Sequence, residues 1–389
     1  MPGFALEPEQ LTWCEKLRTL AEERLRPLAE KGEPGQLNRP LVAALGELGL
    51  LERLFTSGAL DLCLMRESLA RGCTEAETAL ALQGLGAAPV ARAGTDEQRA
   101  RWMPGVRAGQ AVAGFALSEP GAGSDAAALA LAAEPEGSGG AGCEAGSDTG
   151  SGAGSGAGGW RLSGEKCWIS NAPYADFYTV FARTTPGAGA RGITAFLVPA
   201  DRPGLTGTAL DMLSPHPIGA LAFDGVRVTS ADVVGVPDKG FRVAMDTLNL
   251  FRPSVGAFAV GMAQAALDAT LAHTAGRTAF GGPLKDLQSV SHRVAEMATR
   301  TEAARLLVYA AAAAYDRNEP GVPKSSAMAK LFATEAAQFV VDSAVQLHGA
   351  RALQRGHLLE HLYREVRAPR IYEGATEVQR TIIAKELYA

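Results

Sequence analysis

The sequence predicts an α+β protein that is mostly helical, with a β-rich middle region between two helical ones. Three observations carry this reading. Residues from about 7 to 110 are rich in Leu, Ala, Glu and Arg at helical spacing and poor in strand signals. From about 111 to 230 the texture changes to short β-prone runs separated by Gly, Pro, Asn and Asp, and from about 240 long helical segments return. A chain of 389 residues exceeds what one core usually holds, so the boundaries are placed at 1–110 (N-terminal helical domain), 111–232 (middle β-domain, a barrel or sandwich) and 233–389 (C-terminal four-helix bundle).

The elements follow in chain order. "TLAEERLRPLAE" has helical periodicity, and "GTDEQRARWMPGV" begins like a capped helix. The strand candidates are "AVAGFAL", "GWRLSGEKCWIS", "FYTVFART", "GITAFLVPA" and "LAFDGVRV". Residues 134–159, almost all Gly, Ala and Ser, cannot bury enough apolar surface to offset their ordering entropy and read as a disordered loop between strands. Beyond 240, Pro253 is expected to kink or divide the first long helix. In the second, Val290, Val294, Met297, Ala304 and Val308 can share an apolar face. Such helices, joined by short turns, fit a bundle.

Composition excludes several function classes. A net charge of -5 leaves no electrostatic footprint for nucleic acid or an anionic membrane. The five cysteines are scattered and never spaced CxxC, which argues against a disulfide framework or thiolate zinc site. The charged, amphipathic start has no signal-peptide core, and no run of 18 uncharged apolar residues exists. The expectation is a soluble cytoplasmic protein.

Four segments offer chemistry. "GFALSEPGAGSDAAAL" leaves a strand, turns at Pro120 and passes two glycines. There the backbone can approach a ligand, and Ser118 and Ser124 can donate to carbonyl or phosphate oxygens; a plain turn is the competing reading. "EKCWISNA" places Trp168 beside Ser170 and Asn171, either an aromatic ligand platform or a core tryptophan at a strand end. "HLLEH", His357 to His361, has the spacing of an inverted zinc-peptidase motif. A catalytic zinc needs a third ligand, and the repeat "LLEHLYREV" also fits amphipathic packing.

The fourth segment is "RIYEGATEVQR". Thr376 and Gln379 fit a capping box, and Glu377 falls in the first helical turn, where the dipole favours a carboxylate. Glu373 has no such structural account. Between Tyr372 and Gly374 it is either a solvated loop carboxylate or, if desolvated, a general base with a raised pKa.

Together these segments resemble the acyl-CoA dehydrogenase family of flavoproteins, over essentially the whole chain and in the family's order. "ALSEPGAGSD" and "EKCWISNAPYADFYTVFART" are similar to its flavin-facing segments, and "RTAFGG" to its Arg-x-x-Phe-Gly turn. "AVQLHG" followed by "LYREVRAPRIYEGATEVQR" is similar to its C-terminal signature. The resemblance implies FAD bound between the β-domain and the bundle and shared with a neighbouring subunit, in a homo-oligomer that is a dimer of dimers. It implies that Phe115, Leu117, Ser118, Gly123 and Ser124 line the flavin and pyrophosphate, with Ser124 also near the substrate. Trp168 and Ile169 cover the ring, and Ser170 donates toward flavin N5. Arg277, Phe280, Gln288, Gln346 and Gly349 reach the outer half of a partner's cofactor, and Thr376 and Glu377 touch cofactor. Asn249, Arg252 and Gly374 lie by the substrate. Glu373 matches the base that removes the α-proton of an acyl-CoA or acyl carrier protein (acyl-ACP) thioester while the β-hydrogen leaves for flavin N5. The Glu373 backbone N–H is expected to steady the enolate. An electron-transfer flavoprotein is the implied electron acceptor.

The chain departs from the family in places. "GARAL" replaces a Gly-Gly-x-Gly-aromatic run, Ala375 a threonine, "MLSPHPIGALAFDG" an Arg-Gly-Ser-containing run, and Asn249 a common Asp. Competing functions are a flavin-dependent monooxygenase or oxidase on the same fold, the zinc peptidase, and a flavin-free binding protein.

Overall fold

The computed structural model describes residues 6–136 and 158–388. The helix-rich first region forms α1 (Pro8–Leu20), α2 (Arg26–Ala29), α3 (Arg39–Glu47), α4 (Leu50–Thr56), α5 (Ala59–Gly72), α6 (Thr74–Ala93) and α7 (Asp96–Arg107). The start of α7 is the capping box that the sequence predicts: Thr95 Oγ1 accepts from the Gln98 N–H, and Gln98 Oε1 accepts from the Thr95 N–H. Helices α5 and α6 are buried nearly all round, which places them at the centre of this region.

The middle region holds β1 (Ala113–Ala116), β2 (Ala132–Pro135), β3 (Trp160–Ser170), β4 (Phe177–Arg183), β5 (Ile193–Pro199), β6 (Leu205–Ala209), β7 (Ile218–Val228) and β8 (Val233–Val234). They form one mixed sheet in the order β6-β7-β3-β2-β4-β5-β8, with β1 pairing parallel to β4. Every residue of β5 is buried, as in a strand covered on both faces, whereas β7 alternates along much of its length. The loop predicted from residue 134 starts too early. Glu134 and Pro135 pair with Arg161 and Trp160, and the Glu136 N–H donates to the Gly159 carbonyl at 2.8 Å. The remainder of that loop, residues 137–157, lies outside the described residues. Strands β2, β6 and β8 escape sequence reading because they are only two to five residues long; pairing with longer neighbours recruits them.

The last region contains α8 (Gly240–Gly276), the two-residue strands β9 (Thr278–Ala279) and β10 (Gly282–Pro283), α9 (Gln288–Asp316), α10 (Val322–His348), α11 (Leu358–Glu365) and α12 (Thr376–Leu387). Pro253 does not divide α8, which runs unbroken through it. Buried residues run without a gap from Leu250 to Ala263, because α5, α9 and α10 all pack against this stretch. By length and composition α8 could cross a bilayer, but most of its apolar stretch is buried inside the protein. Val290, Met297, Ala304 and Val308 form the buried face of α9, and Val294 packs against it partly covered. The antiparallel run of α8, α9 and α10 puts the end of α8, the start of α9 and the end of α10 at one end of the bundle.

Candidate active site

Between α11 and α12 the chain makes a turn through Tyr372, Glu373 and Gly374. Glu373 has φ +51° and Gly374 φ +96°, the left-handed region that disfavours a side chain such as that of glutamate. The surrounding structure holds this conformation. The fully buried Lys330 of α10 donates from Nζ to the Tyr372 carbonyl at 3.0 Å and the Gly374 carbonyl at 2.7 Å. Gln379 Nε2 donates to the same Gly374 carbonyl at 2.9 Å. A Cβ at residue 374 would also lie 2.4 Å from Gln379 Nε2 and push that side chain off the Gly374 carbonyl it holds.

The predicted capping box at Thr376 is not formed. Ala375 is the N-cap, and Thr376 Oγ1 donates to Glu335 Oε1 at 3.0 Å. Gln379 turns back to the Glu373–Gly374 turn, because two carbonyls there need donors. The Thr376 hydroxyl is buried and its proton is taken by Glu335. Glu377 is exposed near Arg380.

Glu373 is partly covered overall, yet its Oε2 is closed off from solvent and has no hydrogen-bond partner among the described residues. Its backbone N–H also donates to no carbonyl among them. Burial pushes the carboxyl above the usual range, against the opposing pull of Arg66, Lys330 and Arg252. Burial also brings Lys330 down to about 8. Arg252 is buried on α8, donates from Nη1 to Asn249 Oδ1 at 2.7 Å and leaves its Nε without a partner. Thus Asn249, Arg252, Glu373 and Gly374 belong to one neighbourhood, as expected.

On the other side, β3 runs back along β1 and its following turn. Lys166 Nζ donates to the Leu117 carbonyl at 2.9 Å, and the Cys167 N–H donates to the Ser118 carbonyl at 3.0 Å. Glu119 locks the turn by pairing with Lys166 at 2.7 Å and accepting from the Ala130 and Leu131 N–H groups. Within the turn, Glu119 and Ala122 bond each other's backbone, while the N–H groups of Gly123 and Ser124 donate to nothing described. Trp168, at φ +57°, is 48% exposed and follows Cys167, whose N–H holds the Ser118 carbonyl. An uncovered tryptophan on the strand bonded to this segment, together with the unpaired N–H groups of the turn, fits a flat ring carrying a phosphate-bearing tail. The residues present therefore suit a flavin dinucleotide. The side chains of Phe115, Leu117 and Ile169 are buried in the core, Phe115 against Phe181 with ring centres 4.9 Å apart. Those three can meet a ligand chiefly through backbone, which sequence alone does not reveal.

Arg277, Phe280, Gln288, Gln346 and Gly349 are exposed at the far end of the bundle, and Phe280 is 92% exposed. Arg277 lies 25 residues beyond Arg252 on the same helix axis, about 37 Å away at 1.5 Å per residue. The chain does not bring this set to the Glu373 site. The substituted "GARAL" segment forms a short 3-10 turn, and only Gly349 in it has positive φ, so the lost glycines leave ordinary backbone.

The histidines of "HLLEH" do not converge. His357 caps α11, accepting from the Leu359 N–H, and His361 Nε2 meets Thr74 Oγ1 at 2.6 Å. Among the described residues no group of three or more His, Cys, Asp or Glu is placed to hold a metal.

Sequence reading missed Lys330 and a second buried set: Arg66 paired with Glu77, and His216 bonded to Glu365 at 2.6 Å. The available signal was a charged residue inside an apolar helical stretch, as in "LCLMRESLA" and "AMAKLFA".

Residues 7–110, 114–226 and 238–388 match in turn the N-terminal, middle and C-terminal domains of acyl-CoA dehydrogenase. Cyclohexane-1-carbonyl-CoA dehydrogenase of Geobacter metallireducens is 33% identical over 386 residues, 96% of each chain. The solved butyryl-CoA dehydrogenase of Megasphaera elsdenii is 29% identical with a TM-score of 0.88, covering 99% of this chain and 100% of its own. A solved structure of PigA with FAD and proline is 26% identical with a TM-score of 0.86, covering 99% of both chains.

Proposed function

Because the chain belongs to the acyl-CoA dehydrogenase family, an FAD-dependent group of oxidoreductases, we propose that Glu373 is the base that removes the α-proton of its acyl thioester. The observation that carries this reading is the Glu373 carboxylate itself: Oε2 is desolvated, without a partner among the described residues, and held in a strained turn. A group so placed is a stronger base than a solvated one, because burial raises its pKa toward that of its task.

FAD, when bound, supplies the two-electron acceptor for the hydrogen leaving the β-carbon. The chain's own residues do the rest. The unpaired Glu373 N–H donates to the thioester carbonyl and stabilises negative charge developing on its oxygen. Lys330 and Gln379 keep that N–H and the carboxylate in register by fixing the carbonyls of the turn. Arg66, Lys330 and Arg252 oppose the protonation of Glu373 that its burial favours. Trp168 and the turn through Gly123 and Ser124 hold the flavin, and Ser170, at the end of β3, orients its reactive edge. The thioester carrier is coenzyme A or an acyl carrier protein, and an electron-transfer flavoprotein takes the electrons onward. The far-end set, about 37 Å from Arg252 at helical rise, serves the cofactor of a second copy of the chain.

The test is spectroscopic. The purified protein is yellow, and anaerobic acyl-CoA bleaches it. A colourless protein that binds no added FAD overturns the reading. Undiminished bleaching by Glu373→Gln would show that another group is the base.

A further inference from the structure

Three histidines meet at the far end of the bundle. The rings of His273 on α8 and His348 on α10 stack with centres 4.1 Å apart and planes 23° from parallel. His357, at the start of α11, sets its ring edge-on to His348 at 5.7 Å. All three are partly buried. They interleave with the residues that the proposed site gives to a second copy's cofactor: His273 lies one helical turn before Arg277, and His348 falls between Gln346 and Gly349.

Positive charge gathers here without a balancing acid. Arg351, Arg277 and His357 act on His273, and His273 and His357 act on His348. Arg277 and Arg351 are exposed, and neither guanidinium has a hydrogen bond or ion pair among the described residues. The acids of the surrounding elements are engaged elsewhere or face away. Asp268 of α8 pairs with Arg71 at 2.7 Å, and Glu360 of α11 with Arg364 at 2.8 Å. Asp342, six residues before His348, falls on another face of α10. Lys285 and Asp286, on the turn before α9, are exposed and opposite in sign.

The proton positions follow from the backbone. His348 Nδ1 donates to the Ala344 carbonyl at 2.8 Å, and His357 Nδ1 accepts from the Leu359 N–H, so the His357 proton sits on Nε2. Burial holds His273 and His348 below their ordinary 6.5, and Arg351 lowers His273 further. The stack is therefore mostly uncharged at neutral pH, and an anion placed against it draws protons onto it.

We propose that the His273–His348 stack, with His357, Arg277 and Arg351, is a titratable anion site for the diphosphate of the dinucleotide held by a second copy of the chain, and that it tightens the hold between copies as pH falls. This rests on the reading that the far-end set serves a second copy's cofactor. A dinucleotide's diphosphate is a diester of fixed charge, so the pH dependence resides in the imidazoles. Each proton they take up on binding strengthens the hold by up to about tenfold per pH unit, until pH falls below the value of the free ring.

The experiment follows FAD release from the loaded enzyme after dilution at pH 6 and pH 8, with sedimentation velocity on the same samples. Wild type is expected to release FAD about tenfold or more slowly at pH 6, and to stay assembled to greater dilution there. His273→Phe/His348→Asn keeps a stacked ring and the donor to Ala344 while removing both titrating groups. Its release should match wild type at pH 8 and change less than about threefold between the two pH values. An unaltered pH dependence in the variant overturns the inference, and so does release faster by one constant factor at both pH values, which makes the rings packing alone. If the double variant does not fold, His273→Phe decides by the same comparison. Added sulfate that raises the melting temperature of wild type at pH 6, with FAD release indifferent to the histidines, gives the site to a free anion and overturns its assignment to the second copy. Arg277→Met isolates the underlying reading: release unchanged at both pH values means that the far end serves no cofactor, and both fall. Faster release in Arg277→Met, with the histidine variant keeping the wild-type pH dependence, leaves that reading standing and overturns the titratable site alone.

Discussion

Lys330 Nζ sits 2.7 Å from the Gly374 carbonyl oxygen and spans the turn that carries Glu373, since it also holds the Tyr372 carbonyl at 3.0 Å. One buried amine thus holds the carbonyls of the residues on either side of the proposed base. Lys330→Met keeps the volume and removes the donor, leaving the Tyr372 carbonyl without it and the Gly374 carbonyl with Gln379 alone. A displacement of about 1 Å at the reacting atoms costs about 10²-fold in rate, so kcat is expected to fall by that order. FAD affinity, which the proposed site assigns to Trp168 and the 123–124 turn, is expected to stay unchanged. Steady-state kinetics and a flavin titration on the same preparation check both halves. A variant that loses FAD and activity together has lost its fold instead.

The pH dependence follows from the same cluster. Burial raises the Glu373 pKa above its ordinary 4.5, and Arg66, Lys330 and Arg252 oppose the rise. A base works when ionised, so kcat/KM climbs with pH through that raised value. Removing an opposing cation lifts the pKa further. Arg252→Met is therefore expected to move the acidic limb of the pH–rate profile upward by about one unit. A limb that stays in place, or moves down, means that Arg252 does not act on the base.

Much of this was legible in the sequence, and particular residues show where legibility stopped. The order of helices, strands and helices follows from periodicity, and the α7 cap at Thr95 from local chemistry. The same rule applied to Thr376 failed, because Glu335 and the Gly374 carbonyl, both remote or outside the helix, compete for its side chain and that of Gln379. Local reading only freed Glu373 from a structural role, and the resemblance of the C-terminal segment to the family's signature pointed to it as the base. Arg66 and Lys330 were not found, since a charge within an apolar helix declares only that it is buried, never what it faces. The partners that give these residues meaning are separated from them by 42 to 44 positions for Lys330 and 188 for Arg66 and Ser254.

Trp168 offers a test of the cofactor side that needs no substrate. Its indole is 48% exposed, so it contributes little to the core. Trp168→Ala should leave the melting temperature of the FAD-free protein within a degree or two, about the effect of a neutral surface change. Aromatic contact adds about 0.5–1.5 kcal/mol beyond area burial, so the FAD dissociation constant should rise about tenfold. Fluorescence titration of apoprotein with FAD measures it. An unchanged constant means that the ring covers something else.

His216 and Glu365, 2.6 Å apart and both largely buried, predict a stability signature with a definite pH window. Burial, the largest single influence, lowers the imidazole pKa, but Glu365 together with Glu75 and Glu77 overcomes it, and His216 ends above its ordinary 6.5. Burial likewise raises Glu365, but His216 together with His361 and Arg364 overcomes it, and Glu365 ends below its ordinary 4.5. A histidine raised on folding contributes stability that is complete below its unfolded pKa and lost as pH rises through the folded one. A lowered carboxylate contributes above its unfolded pKa and loses it as pH falls through the folded one. The pair is therefore worth most between about 4.5 and 6.5. His216→Gln retains a donor for Glu365 but no charge. Its melting temperature should fall furthest below wild type near pH 5.5, and the gap should narrow steadily above pH 7 as the wild-type imidazole deprotonates. A gap of constant size from pH 5 to 9 would falsify the charged pair and leave a neutral hydrogen bond in its place.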